Sequence, residues 1–233
     1  MEIRIKEFVA GACEAEGLTV IIDVFRAMTV ACYAFDNGVR RVLNVSSPED
    51  AFTLRDKLTA ETILVGERDE MKIEGFEYCN SPTEMLTGSV RGKTMIHTTT
   101  AGTKGILSAC CATEVLGAGL VNAGATARYI SMKDPAVVTL VAMGYRAKEK
   151  ADEDILCANY IRDVVLGKEP DITSDIKSLR TGSGKRFFDP ANLKFSPPTD
   201  FFLCTDLDRF NFILKAVLAT SGYAELVRVE LNR

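Results

Sequence analysis

Short apolar runs separated by polar segments recur along this chain, and their spacing predicts alternating strands and helices. Residues 2–8 alternate apolar and charged positions, as in a strand with one exposed face. Residues 18–24 form a nearly continuous run of β-branched residues, as in a strand covered on both faces. Further strand-like runs occupy residues 41–45, 62–66, 94–98, 113–117 and 136–144.

Helical patterns fill most of the intervals between these runs. Arg26 to Asn37 is predicted to be a helix that ends at Gly38, and Ser47 and Pro48 have the residue types that begin another. Three more helices are predicted near residues 101–111, 122–132 and 151–166. The resulting β, α, β, α order predicts an α/β fold, a three-layer sandwich with helices flanking a mostly parallel central sheet.

Two polar stretches interrupt this alternation, and a hairpin follows it. Residues 66–86 are too long for an ordinary crossover loop, which makes a functional role the expected one. Residues 180–200 contain three prolines and two glycines, and we interpret them as a mobile cover. Two strand-like runs joined at Ser221 and Gly222 predict a C-terminal β-hairpin. We expect a single α/β domain over residues 1–233, with a smaller C-terminal lobe at about 170–233 as an option.

Composition narrows the class of partner. Hydrophobic residues make up 47% of the 233 positions, enough for a packed core, so a disordered chain is not expected. The net charge is -4 and no dense basic run occurs, which favours small solutes over nucleic acid or an anionic membrane. The first residues lack the apolar core of a signal peptide and no run reaches the length of a membrane span. We therefore expect a soluble cytoplasmic protein, with a homodimer as one option for its assembly.

The seven cysteines are scattered and include no Cys-x-x-Cys pair, which argues against a disulfide framework and against structural zinc. None of them is followed six residues later by the arginine that a thiol phosphatase needs. We expect small buried side chains rather than nucleophiles.

Charged residues stand where two predicted strands end, at the edge where an open α/β sheet binds its ligand. Asp23 and Glu67 supply carboxylates there, and Mg²⁺ takes one or two carboxylates together with water and phosphate oxygens. Arg26 would oppose the dipole of its own helix unless an anion required it, and Arg68 suits phosphate. Asp23 could equally cap the helix that follows it.

A threonine-rich loop follows another strand. The segment from Lys93 to Leu107 passes from an apolar run through Thr98–Thr100 and Gly102 into helix-like sequence. Such a loop gathers backbone N–H groups, hydroxyls and a positive helix end, which suits a phosphate or a sulfonate. Threonines also close strands for reasons of turn chemistry alone, so both interpretations stay open. His97, the only histidine, is expected to be a packed or hydrogen-bonded residue rather than a catalyst.

Two rival motifs are weaker. Gly117-Ala118-Gly119 imitates a dinucleotide loop, but the third glycine is absent and no acidic residue closes the following strand. Asp206 and Asp208 imitate an aspartyl-phosphate motif, yet Phe210 replaces its usual Thr or Val and too little chain follows, so we reject this motif.

Four segments read together resemble the 2-phosphosulfolactate phosphatase family, in the right order across most of the chain. The most specific piece is Gly75-Phe76 followed by Asn80-Ser81-Pro82 and Glu84. The segments are VIIDVFRAMT at 20–29, GERDEMKIEGFEYCNSPTEM at 66–85, TTTAGT at 98–103 and EDILCANYIRD at 153–163.

The resemblance implies a Mg²⁺-dependent phosphatase that converts 2-phosphosulfolactate into sulfolactate and phosphate on the route to coenzyme M. It marks twelve matched motif positions, and we infer their roles. The expected catalytic residues are Asp23, Arg26, Glu67 and Asp154, and the expected Mg²⁺ ligands are Asp23, Glu67 and Glu153. The expected substrate-binding residues are Arg68, Asn80, Ser81, Thr99, Thr100, Gly102 and Thr103.

Several alternatives stay open at this stage. Glu153 and Asp154 could serve only the dipole of their helix, and Asp23 could be a nucleophile rather than a ligand. Ala101 stands where the family usually has asparagine, Asp69-Glu70 replaces a glycine pair and Cys79 replaces a glycine, so the accepted ester could differ. A nucleotide-binding α/β protein and a non-catalytic family member that binds a small anion are the competing functions.

Overall fold

The computed structural model describes residues 1–219 and 222–231. Its strands, in chain order, are β1 (Glu2–Glu7), β2 (Gly17–Ile22), β3 (Arg41–Asn44), β4 (Thr62–Arg68), β5 (Met71–Lys72), β6 (Thr94–Thr98), β7 (Ala112–Ala118), β8 (Val137–Ala142), β9 (Phe212–Leu218) and β10 (Ala224–Glu230). Its α-helices are α1 (Phe8–Cys13), α2 (Ala27–Asp36), α3 (Pro48–Lys57), α4 (Pro82–Thr87), α5 (Gly102–Ser108), α6 (Ala123–Lys133), α7 (Asp152–Val165), α8 (Thr173–Leu179) and α9 (Pro198–Cys204).

The strands form one sheet in the order β1-β8-β2-β7-β9-β10-β3-β6-β4-β5. Two parallel sets, β1-β8-β2-β7 and β3-β6-β4, are joined by the antiparallel pair β9 and β10. The predicted α/β class, the mostly parallel sheet flanked by helices and the C-terminal hairpin are therefore confirmed. Ser221, half of the predicted turn, lies outside the described residues. The hairpin lies inside the sheet and not at its edge, because β9 pairs with β7 while β10 pairs with β3.

Helix α2 packs against β7 and against helix α5, and α5 reaches strands of both parallel sets. Residues 27–34 of α2 are all buried, as expected of a helix that is covered on every side. Helix α5 contacts β2 and β7 of one set and β3 and β6 of the other. The loop before α5 thereby stands between the end of β2 and the end of β4, although these strands are far apart in the sheet order.

Element boundaries differ from the prediction where the backbone turns. The strand expected at 2–8 stops at Glu7, and α1 begins at Phe8, whose φ of 64° lies in the left-handed region and breaks the extended run. Strand β8 stops at Ala142 because the chain turns at Gly144, which has a φ of 72°. The long connection at 66–86 contains β5 and α4, which sequence patterns did not indicate. In the part of the chain that is described, no helix combines the length and apolar character needed to cross a membrane.

Candidate active site

A cleft lies at the carboxyl ends of the parallel strands and brings all four expected catalytic residues together. Of the residues marked by the sequence, it is lined by Asp23, Arg26, Glu67, Asn80, Thr100, Glu153 and Asp154. It is also lined by Phe25, Glu70, Ala101, Gly144, Tyr145, Arg146 and Arg186. The loop of threonines is therefore adjacent to the two carboxylates that were expected to work with it.

Asp23 follows β2 and is both a helix cap and a cleft residue. Its Oδ1 accepts a hydrogen bond of 3.1 Å from Ala27 N in the first turn of α2. Its Oδ2 faces the start of α5, where a Cβ on Gly102 would lie only 2.6 Å away, so this approach requires glycine. Burial, together with the negative charges of Glu67 and Glu153, raises the pKa of Asp23 from 3.8 to about 6, against the hydrogen bonds of backbone N–H groups that lower it.

Glu67, at the end of β4, holds the threonine loop. Its Oε1 accepts from Thr100 N at 2.7 Å, and its Oε2 accepts from Thr100 Oγ1 at 3.0 Å and from Glu70 N at 3.0 Å. Thr99 N donates to Thr103 Oγ1 at 2.8 Å, so a second N–H group of the loop is engaged within the loop itself. In this structure these donors fix the position of a carboxylate and of the loop, and their expected role in holding a phosphate stays a prediction.

Glu153 and Asp154, in the first turn of α7, have different surroundings. Asp154 accepts from Val24 N with Oδ1 and from Gly144 N with Oδ2, both at 2.8 Å, and so ties the end of β2 to the end of β8. Glu153 is 3% exposed, and its Oε2 has no hydrogen-bond partner in the part of the chain that the structure describes. Burial is the main cause that raises the pKa of both carboxyls. Asp154 is thus satisfied by the backbone, whereas Glu153, which also lines the cleft, has one carboxylate oxygen without a hydrogen-bond partner among the described residues.

Arg26 lines the cleft but is held by a buried counter-charge. Its Nη1 donates to Asp200 Oδ2 at 2.6 Å and to Phe195 O at 2.7 Å, and Arg26 and Asp200 are almost fully buried. Asp200 Oδ1 accepts from Ser81 Oγ at 2.8 Å and from Thr83 Oγ1 at 2.6 Å. Ser81, expected to bind substrate, therefore faces this network behind the cleft wall.

Arg68 also lies outside the cleft lining. Its guanidinium donates to Glu67 O at 2.7 Å, to Ser46 O at 3.1 Å and to Thr98 Oγ1 at 2.8 Å, and so joins the ends of three neighbouring strands. The expected substrate residues that do not line the cleft, besides Arg68 and Ser81, are Thr99, Gly102 and Thr103.

Sequence reasoning missed two arginines of the cleft and their acidic partners. Arg186 Nη1 lies 3.1 Å from Glu70 Oε1, an ion pair without hydrogen-bond alignment, and Arg186 Nη2 donates to Phe25 O at 3.2 Å. Arg146 Nε lies 3.5 Å from Asp69 Oδ1. The signals were present in the sequence: the stretch at 180–200 was expected to cover a site, and the pair Asp69-Glu70 departs from the family pattern.

The rival dinucleotide loop is closed by its own side chain. Asn122 Oδ1 accepts from Gly119 N at 2.9 Å and Asn122 Nδ2 donates to Gly117 O at 3.3 Å. Because the loop's Gly119 N–H is already bonded and the loop does not line the cleft, the geometry gives no support to a nucleotide there.

The chemistry of the cleft fits Mg²⁺, although no ready-made cluster is present. Within residues 1–219 and 222–231, no three side chains of His, Cys, Asp or Glu are grouped as a metal site. Mg²⁺ needs only one or two carboxylates, because water and substrate oxygens complete its shell. Glu153, with its unpaired Oε2, and Asp23, with its raised pKa, are buried carboxylates to which no arginine or lysine of the described residues is hydrogen-bonded. The residues present therefore suit a small hard cation.

Comparison with known proteins identifies the family. Residues 3–189 match the family model described as 2-phosphosulpholactate phosphatase. A protein of Caldicellulosiruptor saccharolyticus named probable 2-phosphosulfolactate phosphatase is 35% identical over 169 residues, 70% of this chain and 69% of the relative. A Bacillus subtilis protein of the same name is 31% identical over 202 residues, 85% of this chain and 86% of the relative. The chain belongs to the 2-phosphosulfolactate phosphatase family, a family of phosphoric monoester hydrolases.

Proposed function

We propose that this protein is a Mg²⁺-dependent phosphatase whose substrate is a small anionic phosphoester, with 2-phosphosulfolactate as the first candidate. The observation that carries the proposal is the excess of negative charge in the cleft, where five carboxylates face three arginines. An anionic ester would be repelled by that excess unless a cation compensated it. Relatives named for 2-phosphosulfolactate support the choice of ester.

Glu153, Asp23 and Glu67 are the residues proposed to hold Mg²⁺. Glu153 Oε2 has no hydrogen-bond partner within residues 1–219 and 222–231, and Asp23 Oδ2 faces Gly102 after the threonine loop. Glu67 is fixed by Thr100 and so presents its carboxylate in one orientation. When bound, the cation would draw charge from the phosphoryl oxygens and activate a water molecule for attack.

The protein's own donors are proposed to bind the phosphoryl group and the rest of the ester. Arg186 and Asn80 line the cleft, and Arg26 forms part of its wall. Among the described residues, Glu70 is the one ion-pair partner of Arg186, and that pair is partly exposed, so an anion can compete for the guanidinium. The pair of Arg26 with Asp200 is buried, which keeps the Arg26 charge fixed beside the cleft.

Asp23 is proposed to act on the attacking group. In the metal-free protein, the pKa of Asp23 of about 6 leaves the carboxylate largely deprotonated near neutral pH, so Oδ2 can accept a proton from the attacking water when it does not bind the cation. The same oxygen could attack phosphorus directly and form a phospho-aspartate. Borohydride trapping during turnover distinguishes the two, because only the covalent route forms an acyl phosphate at Asp23, which borohydride reduces to homoserine.

The proposal is tested by phosphate release from 2-phosphosulfolactate with Mg²⁺, with EDTA, and from the same ester without its sulfonate. We expect turnover with Mg²⁺ that EDTA abolishes and that added Mg²⁺ restores. Absence of phosphate release from every small anionic phosphoester, by folded protein with Mg²⁺ present, contradicts the proposal and favours a non-catalytic anion-binding role. The proposal includes a cytoplasmic place for this reaction in coenzyme M biosynthesis, which requires the sulfonated ester to be the preferred one.

A further inference from the structure

His97 lies directly behind the cleft, although it does not line it. It is 1% exposed in β6, between Asn44 of β3 and Val65 of β4 in strand register. Its Nε2 lies 3.0 Å from Oδ1 of Asn80, which is 4% exposed and lines the cleft. The imidazole therefore contacts Asn80, a residue that lines the cleft, without lining the cleft itself.

The partner of Nε2 fixes the tautomer of His97. An amide oxygen is only an acceptor, so the hydrogen of the neutral imidazole must lie on Nε2 to make this bond. Burial and the nearby charge of Arg68 lower the pKa of His97 to about 3, so the ring is neutral near pH 7 and carries one N–H. That single donor is directed at Asn80.

The orientation of the Asn80 amide follows from this bond. With Oδ1 held by His97, the two N–H groups of Nδ2 point away from the ring. Asn80 borders the cleft beside Arg26 and Glu67. A flipped amide would present Oδ1 to the cleft, which suits a cation or a donor and repels the oxygens of a phosphoryl group.

We propose that His97 is a positioning residue, which holds the Asn80 amide so that its N–H groups bind a phosphoryl oxygen of the substrate. The inference rests on the proposed phosphatase function. It names a residue that acts through Asn80 and does not itself contact the substrate. His97 itself exchanges no proton with the substrate. Its contribution is to binding of the anion, so it is expected to change KM more than kcat.

Three variants separate this role from simple packing. His97→Leu removes the donor, His97→Gln keeps an N–H donor of similar reach, and Asn44→Leu removes the neighbouring buried amide, which has no hydrogen bond to Asn80. We expect His97→Leu to raise KM about tenfold to a hundredfold with kcat nearly unchanged, the effect of one hydrogen bond to a charged group. His97→Gln is expected to restore most of the affinity, and Asn44→Leu to leave KM near the wild-type value.

The tautomer can be read in the unmodified protein. Because His97 is the only histidine, its two ring nitrogens give unambiguous ¹⁵N signals in a histidine-labelled sample. We expect a protonated Nε2 and an unprotonated Nδ1. A protonated Nδ1, an unchanged KM in His97→Leu, or equal damage in His97→Gln and His97→Leu would each overturn the inference.

Binding of inorganic phosphate distinguishes failure of this inference from failure of the proposed function. If the wild-type protein hydrolyses no ester, the phosphatase proposal fails, but calorimetric titration with phosphate still compares the wild-type protein with His97→Leu. Weaker phosphate binding in His97→Leu, rescued in His97→Gln, supports the positioning role. Equal phosphate affinity in the three proteins contradicts it.

Discussion

Three buried carboxylates, Asp200 behind the cleft wall and Asp23 and Glu153 in the cleft, differ in how fully hydrogen bonds and a counter-charge satisfy them. Asp200, behind the cleft wall, is fully buried and accepts from Arg26, Ser81 and Thr83. Asp23 and Glu153, facing the cleft, are almost as deeply buried but have no arginine or lysine hydrogen-bonded to them in the described part of the chain. All three carboxylates carry the cost of removing charge from water, and among the described residues only Asp200 has a hydrogen-bonded arginine to balance its charge.

The difference separates a structural role from a ligand-binding role. Asp200 fixes Arg26 and links the start of α9 to the start of α4, so its charge belongs to the fold. Burial raises the pKa of the cleft carboxyls Asp23 and Glu153, and a cation from solution would stabilise their charged forms. If this comparison is right, neutralising one group damages chemistry and neutralising the other damages stability.

The largest effect is expected from Asp23→Asn. This substitution keeps the shape of the side chain and the bond to Ala27 N but removes the charge and the basic oxygen. We expect kcat/KM with Mg²⁺ to fall about a thousandfold or more, the scale of losing a base or ligand that acts in the transition state. The matched control is the exposed Asp56→Asn, which should keep normal activity. Full turnover in Asp23→Asn would contradict the ligand-binding role of the cleft carboxylates.

Asp200→Asn is expected to act on stability. Arg26 would remain buried without its counter-charge, which costs about 3–5 kcal/mol in comparable buried pairs. Urea unfolding should give a much lower midpoint for Asp200→Asn, whereas Asp23→Asn should unfold at or above the wild-type midpoint. Equal stability of Asp200→Asn and the wild-type protein would contradict a structural role for this aspartate.

The stability of the metal-free protein should depend on the charge of Asp23. Because the folded-state pKa is raised to about 6, the folded protein binds this proton more tightly than the unfolded chain does. Ionisation of Asp23 therefore lowers stability as pH rises from about 4 to about 6, by about 2–4 kcal/mol. In EDTA, the stability advantage of Asp23→Asn over the wild-type protein should grow across this interval and then level off. A stability difference between Asp23→Asn and the wild-type protein that does not vary with pH would show that burial does not raise the pKa of Asp23.

The smallest effect is expected from a substitution of Glu70, which lines the cleft and pairs with Arg186. Glu70→Gln removes the charge that pairs with Arg186, so the guanidinium becomes freer to bind the ester, and KM should fall about threefold to tenfold. Asp69→Asn is the matched control, because the Asp69–Arg146 pair is far more exposed and should matter less. A higher KM in Glu70→Gln would mean that Glu70 holds Arg186 in its productive place.

The sequence predicted the parts of the site that follow strands. Asp23, Glu67 and the threonine loop lie at strand ends, where chain order alone brings ligand-binding residues to one edge of an α/β sheet. The sequence patterns also indicated nearly all of the central strands. Both predictions rest on local periodicity, which the strands and their following turns preserve.

Contacts between residues that are far apart in the chain were not predicted from the sequence. The partner of Arg26 is Asp200, 174 positions later, and no pattern in either segment announces the pair. Arg186 lies in a stretch without helical or strand periodicity, so its place in the cleft depends on tertiary packing against Phe25 and Tyr145. The insertion of β9 and β10 between the parallel sets is likewise a matter of strand order, which hydrophobic alternation does not encode.

Calorimetric titration with Mg²⁺ tests the central claim most directly, because it needs neither the substrate nor turnover. The wild-type protein and Asp56→Asn are predicted to bind Mg²⁺ with the same affinity, and Asp23→Asn and Glu153→Gln to bind it at least about tenfold more weakly, as expected when a charged oxygen ligand is lost. Absence of Mg²⁺ binding to the wild-type protein, or equal affinity in all four proteins, would contradict the claim that the unsatisfied carboxylates of the cleft form a cation site.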